Sequence, residues 1–415
     1  MRLTYKLTFK PNKTTSSILF SLTYASARLF NVGNYERHEY EKLGFEKMPN
    51  WYDQKKRLKD NYWFKSLPSQ TSQDILQRVD EGWKSYFKLL KTKGIEKTNA
   101  PFYKKHDSHY NIKYLNNSFK VMDDNRIRFM IPKKERKFLK EKKSIEVKYF
   151  YLKLDKKLNN IKTIEFKYVS DKEYEVYIVY EDNISNKETI KNNNYISIDL
   201  GICNLATIYD NKGKAFIISG NSYLNTLYYY NKRIAHYQSI IDLQRKDKKG
   251  SSKRIKRLYT KKNRKIEYIL HAATRKIVDY CVNNDVSTVI IGNIKGIREN
   301  TNLGKENNQK LHSLPFEKLY SKLKYKLQRE GINLIYQLEY YTSSCPIHSL
   351  VVSKEYASKG RIKRGLFKED NNVYNADCVG AFNIMRLYKQ NNGIEIPLSI
   401  NGLSNPNKIS ICVTS

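Results

Sequence analysis

The sequence is short of acidic residues, of cysteine and of uncharged apolar runs, and each shortage excludes something. Asp and Glu number 41 against 77 Lys and Arg, a formal charge of +36 over 415 residues. Self-repulsion of that size is tolerable mainly when a polyanion neutralises it, so nucleic acid is the natural partner. The cysteines (Cys203, Cys281, Cys345, Cys378 and Cys412) form no disulfide pattern, which points to reduced thiols and a cytoplasmic location. No uncharged apolar run approaches the ~20 residues that cross a bilayer, and the opening MRLTYKLTFKPNK has no secretory character. There is no amphipathic anchor either, so no membrane partner is expected. A Gly-x-x-x-x-Gly-Lys-Ser/Thr loop is missing, which argues against a helicase or ATPase. No spacing suggests a His-Asn-His constellation or a Ser/His/Asp triad. What the chain does have is 34 tyrosines and 16 phenylalanines, stacking faces for bases.

Leu3 to Phe9 alternates apolar and polar residues and reads as a strand. From Ser16 to Lys93 the pattern is helical, with Ile75, Val79, Trp83 and Phe87 forming an apolar stripe. Gln73 and Gln77 lie on another face of that helix. Glutamine can read adenine edges in a major groove, and this is weighed against ordinary solvated glutamine. Between Asn117 and Glu181 short alternating stretches return and suggest an antiparallel, barrel-like module. The N-terminal strand would complete it, with the helical segment inserted. The Lys-rich PKKERKFLKEKK reads as a loop that contacts phosphate. The polar NISNKETIKNNN marks a boundary.

The strands YISIDLGI, LATIYDN and KAFIISG follow, with a hairpin turn at Asn211-Lys212-Gly213. A long basic helical stretch comes next, then the strand STVIIGNI, a helix over PFEKLYSKLKYKLQREG and the strand INLIYQLE. A three-stranded meander and then helix, strand, helix, strand is the order of the ribonuclease H architecture.

Asp199 closes the first of these strands and would project its carboxylate at the sheet edge. Asp377, in YNADCVGAFNI, begins a helix whose small residues Ala376, Gly380 and Ala381 allow close packing on the sheet; it could also be a simple N-cap. The strand VIIGNI ends without an acid, at Gly292 and Asn293. INLIYQLE should run parallel and beside it, because a helix joins the two, which places Glu339 at the same edge about 4.8 Å over. Gly292 has no side chain to obstruct a reach toward Asp199. Three carboxylates on one edge repel unless cations neutralise them, and hard oxygen ligands suit two Mg²⁺, or Mn²⁺ in their place. The chemistry expected is phosphodiester hydrolysis.

SIDLGICNLAT, the basic helix, VIIGNIKGIREN, EYYTSSCPIH and RGLF…NADCVGAFNI, in this order, resemble the TnpB family. These are transposon-encoded RNA-guided nucleases related to the type V CRISPR effectors. The resemblance implies an α+β multidomain chain: a β-barrel wedge domain (1–15 and 116–188) with an inserted helical recognition domain (16–115). It further implies a RuvC-like α/β nuclease domain (189–340 and 375–390), interrupted by a zinc-ribbon-like target-binding insertion (341–374), and a tail (391–415). Asp199, Glu339 and Asp377 match the catalytic acids, with Glu339 following the branch that carries Glu before Tyr-Thr-Ser. A guide RNA from the transposon end and double-stranded target DNA are the implied partners. Gln73 and Gln77 are candidates for reading the DNA motif beside the target. Lys253, Arg254, Lys256, Arg257, Lys261, Lys262 and Arg264 would hold phosphates. For zinc the sequence offers the half-site Cys345 and His348, but Lys368, Glu369 and Asp370 where a second pair belongs, so bound Zn²⁺ is not expected. An RNA-guided repressor that binds DNA without cutting is the rival reading, and a strand-joining transposase a weaker one.

Overall fold

Alternation and helical periodicity sort the chain into elements. The structure, a computed structural model, describes residues 2–92, 98–181, 187–244, 252–293, 315–357, 361–363 and 365–412. Residues 183–186 of the polar linker, 246–251 of the basic stretch, 294–300 after VIIGN and Arg364 of RGLF lie outside the described residues. Contacts divide the chain into Met1–Ser185 and Asn186–Ser415.

In the first unit, β1 (Arg2–Phe9) leads into α1 (Lys13–His38), α2 (Trp51–Arg57), α3 (Tyr62–Lys65) and α4 (Ser69–Leu90). Then come β2 (Ile112–Leu115), β3 (Phe119–Val121), β4 (Arg126–Met130), α5 (Lys133–Lys143), β5 (Tyr149–Lys153), β6 (Ile161–Ser170) and β7 (Glu173–Glu181). The N-terminal strand pairs antiparallel with β7 in a sheet ordered β1-β7-β6-β2, so it does join strands from beyond the helices. Strands β3, β4 and β5 form a second antiparallel sheet. Among the described residues this is two sheets rather than one closed barrel. A shared aromatic core joins them: Phe129 stacks on Phe150 at 4.8 Å, and both meet Phe166.

Helix α4 turns Ile75, Val79 and Trp83 into that core, and the Trp83 indole donates to Asn34 Oδ1 at 2.8 Å. Phe87 departs from the expected stripe, being 41% exposed at the last turn. PKKERKFLKEKK is a correction: it is helix α5, not a loop. Pro132 stands at its N-cap, where a missing N–H costs nothing. Glu135 and Leu139, one turn apart, face inward while the lysines face out.

In the second unit β8 (Tyr195–Asp199), β9 (Asn204–Asp210) and β10 (Ala215–Ser219) form the antiparallel meander. Helices α6 (Asn221–Gln244) and α7 (Lys253–Asn283), strand β11 (Thr288–Asn293), helix α8 (Phe316–Arg329) and strand β12 (Asn333–Leu338) follow. A small sheet of β13 (Arg361–Lys363), β14 (Leu366–Glu369) and β15 (Asn372–Asn375) precedes α9 (Ala376–Asn392) and β16 (Asn407–Ile409). The main sheet is ordered β12-β11-β8-β9-β10-β16, with β11 parallel to both β8 and β12. Its outermost strand comes from the tail, since β16 pairs parallel with β10. One face packs on α6, α7 and α8 through Ile198, Ile291, Ile277 and Leu323; the other packs on α9 through Ile290, Phe382 and Met385. Among the described residues no helix is long and apolar enough to cross a membrane.

Candidate active site

Register places the acids. Ile198 of β8 stands opposite Ile291 of β11, so Asp199 comes level with Gly292, which itself pairs with Gln337 of β12. Side chains alternate faces along a strand. Asp199, Gly292 and Gln337 therefore share the face of Ser197 and Ile290, which α9 covers; Ser197 Oγ donates to the Ala381 carbonyl at 2.6 Å.

Glu339, one residue past β12, reaches sideways over β11. A Cβ on Gly292 would stand 1.5 Å from Glu339 Oε1, so the carboxylate occupies the space that any side chain there would need. That oxygen is buried without a hydrogen-bond partner among the described residues. Burial pushes the Glu339 carboxyl up to about 7.

Asp199 meets the helix in the same manner. A Cβ on Gly380 of α9 would come 2.6 Å from Asp199 Oδ2, so glycine is what lets the helix approach. Asp377 lies one turn earlier on α9. It is not the cap, as the sequence had allowed: Asn375 caps α9, its Oδ1 accepting from the Asp377 and Cys378 amides at 3.1 and 3.2 Å. The Asp377 carboxylate is thereby left to the site, where Oδ2 accepts from Asn204 Nδ2 at 2.7 Å. Asn204 is a residue that sequence reasoning missed; its only signal was its place in the SIDLGICNLAT motif. Burial, then the charges of Asp377 and Asp199, push the Cys378 thiol up to about 12.

The structure thus gathers Asp199, Glu339 and Asp377 on one face at one sheet edge. Among the described residues no three His, Cys, Asp or Glu side chains close up as a ready metal cluster. The donor chemistry nonetheless fits a hard divalent cation: all three groups are carboxylates, and Glu339 Oε1 is an orphaned buried acceptor.

The other candidates are placed as follows. Cys345 is fully buried, its Sγ donating to the Ser353 carbonyl at 3.2 Å, while the His348 Nδ1 lies 3.1 Å from Glu369 Oε1. Each is engaged with a different partner. Gln73 and Gln77 of α4 contact their own helix, at Ser69 Oγ (3.3 Å) and Glu81 Oε1 (3.1 Å). On α7, Lys253, Arg254, Lys256, Arg257 and Lys261 are exposed, whereas Lys262 and Arg264 are half-buried and Lys262 donates to Asn231. His271 sits at the surface with Nε2 3.0 Å from Lys322 Nζ, because α8 brings lysines, not apolar side chains, over it.

Two families match the sequence: OrfB_IS605, a probable transposase, over residues 174–298, and the Cas12f1-like TNB domain over residues 316–384. Asp199 falls in the first stretch and Glu339 and Asp377 in the second. The TnpB-like protein ORF457 of Acidianus two-tailed virus is 25% identical over 203 residues, 47% of this chain and 42% of that protein, so the match spans well under half of the relative's length. A cryo-EM structure of a Cas12f1–sgRNA–target DNA complex shares the fold, with a TM-score of 0.54 and 16% identity over 89% of this chain and 82% of that one. Over these stretches the chain is similar to the OrfB_IS605 and Cas12f1-like TNB families and to a TnpB-like protein, and it shares its fold with Cas12f1.

Proposed function

We propose that the chain is an RNA-guided DNA endonuclease of a transposable element, with a RuvC-like, ribonuclease H-type nuclease domain. The observation that carries this reading is the Glu339 carboxylate lying over Gly292 toward the strand of Asp199. A glutamate that only decorated a strand end would point to water; this one is buried against a neighbouring glycine. The order of the main sheet supports the same reading, as does the presence of sgRNA and target DNA in the Cas12f1 complex of similar fold.

Asp199, Glu339 and Asp377 are the side chains to hold two Mg²⁺ ions. Bound there, the ions supply an activated water and neutralise charge on the leaving oxygen. Asn204 orients Asp377, and the close approach of Gly380 fixes Asp199 against α9. Exposed cations of α7 would hold backbone phosphates, and pairing between guide and target would supply most of the sequence specificity. Gln73 and Gln77 remain the candidates for reading the adjacent DNA motif.

The test is cleavage of a guide-matched plasmid in Mg²⁺ by protein co-purified with RNA from its own genetic neighbourhood. Glu339→Ala is run in parallel, with DNA binding measured for both. Native cutting with a variant that only binds supports the reading. Equal cutting by both sinks the role of Glu339, and tight binding without cutting in Mg²⁺ or Mn²⁺ leaves the repressor.

A further inference from the structure

The segment between β12 and α9 resembles a zinc ribbon in sequence, but a different group holds it closed. A structural zinc needs four ligands, thiolates or imidazoles for the most part. The turn Cys345-Pro346-Ile347-His348 offers two, and one of them is already engaged: the Cys345 Sγ donates to the Ser353 carbonyl, as a thiol does. The opposing hairpin, β14 to β15, supplies no cysteine or histidine among its described residues.

What it supplies is Glu369, at the end of β14. Its Oε2 accepts from the Ile347 amide at 2.6 Å, and its Oε1 accepts from the His348 amide at 3.1 Å. The same Oε1 lies 3.1 Å from His348 Nδ1. The Glu369 side chain is only 12% exposed, so these charge-assisted bonds form largely out of water, where they are strongest. The other side of the turn is tied to α9. Asn383 Nδ2 donates to the carbonyls of Thr342 (2.9 Å) and Cys345 (2.8 Å), and Arg386 Nη1 to that of Pro346 (2.8 Å). The turn is clamped between a carboxylate and a helix.

We infer that Glu369 takes the structural place of the zinc ion: its carboxylate closes the β14–β15 hairpin onto the Cys345–His348 turn, and the element folds without metal. Glu369 is in this sense a positioning residue for the segment that leaves Glu339. The inference does not depend on the nuclease reading, because its readouts are metal content and local protection rather than cutting.

The experiment uses the full chain. Plasma mass spectrometry of the purified protein should find far less than one zinc per chain, and 1,10-phenanthroline should leave the thermal midpoint unchanged. In Glu369→Ala, hydrogen exchange at the Ile347 and His348 amides should quicken by about tenfold or more, as expected when charged acceptors are lost. Exchange in β6 and β7 should not change. Glu369→Gln, which keeps one acceptor oxygen, should fall between the two, and it reads the same amides if the alanine variant does not fold. One zinc per chain whose removal lowers the midpoint would overturn the inference. So would unchanged exchange at both amides in the variants.

Discussion

Glu339 and Gly292 fit together as a side chain and the space left for it: Oε1 of the glutamate stands 1.5 Å from where a Cβ on Gly292 would be. The glycine at the end of β11 and the acid past the end of β12 are thus one feature divided between adjacent strands. Gly292→Ala should therefore damage the site without touching any acid. The alanine forces the Glu339 carboxylate aside by an ångström or more, and misplacement on that scale costs roughly 100-fold in rate. Cleavage of a guide-matched plasmid should fall accordingly while binding of the same DNA is retained. Unimpaired cutting would mean that Glu339 works from another position.

Asn204 should matter through Asp377. Its amide holds Oδ2 at 2.7 Å and so selects one orientation of the carboxylate. Loss of such an outer hydrogen bond lowers metal affinity by about 10–100-fold. Asn204→Ala should shift the Mg²⁺ concentration for half-maximal cutting upward by that factor, with the rate largely recovered at saturating Mg²⁺. A lower plateau at an unchanged Mg²⁺ midpoint would show that Asn204 acts in another way.

The difference between what was legible and what was not follows from the range of the interactions. Strands β8 to β12 were legible because alternation and buried β-branched runs are local signals. The position of Glu339 followed from one topological rule, that a helical crossover returns a strand parallel and adjacent. Helix α5 was obscured because only Phe138 and Leu139 of its residues are apolar, too few to show a period. Strand β16 spans Asn407–Ile409, too short to carry any pattern. Asn204 and Glu369 act on partners 173 and 21 or 22 residues away, and no spacing reveals such pairs. The resemblance to a zinc ribbon marked the place of Glu369, where a second ligand pair belongs, but not the backbone amides it accepts from.

Glu135 should give the first unit a pH signature. Its carboxyl is buried in α5 and burial pushes it from 4.5 to about 7, with a hydrogen bond from Ser21 opposing only in part. Below 4.5 the group is protonated in folded and unfolded chains alike and has no effect. As pH rises from 4.5 to 7 the unfolded chain ionises first, so folding stability is lost, by about 3 kcal/mol at most. Glu135→Gln should be more stable than the native protein at pH 8 and no more stable at pH 4.5. His271 opposes this trend in the native profile. Partial burial, then Lys322 and Lys326, push its imidazole from 6.5 to about 4, so its contribution is lost as pH falls through that range. The difference between variant and native denaturation midpoints isolates Glu135, and a difference independent of pH would exclude its buried ionisation.

The exposed cations of α7 should be separable from the half-buried ones by salt. Each cation that neutralises a phosphate releases condensed counterion, and the slope of log K against log salt falls by about 0.9 per contact with duplex DNA. Lys253, Lys256 and Arg257 project to solvent from a helix whose Ile255 and Leu258 are buried, so alanine there removes charge without opening the core. Each single substitution should weaken nucleic-acid binding to a similar degree for every sequence tested and reduce the slope by about one contact. Lys262→Ala should behave differently. Its amine donates to Asn231 at 3.1 Å and its stem is half-buried, so the change should lower the thermal midpoint and leave the salt slope nearly unaltered. Titrations of RNA and of duplex DNA at several salt concentrations, with melting curves for the same variants, distinguish the two kinds of residue. Equal slopes for all four variants would show that α7 presents a general basic field and not discrete phosphate contacts.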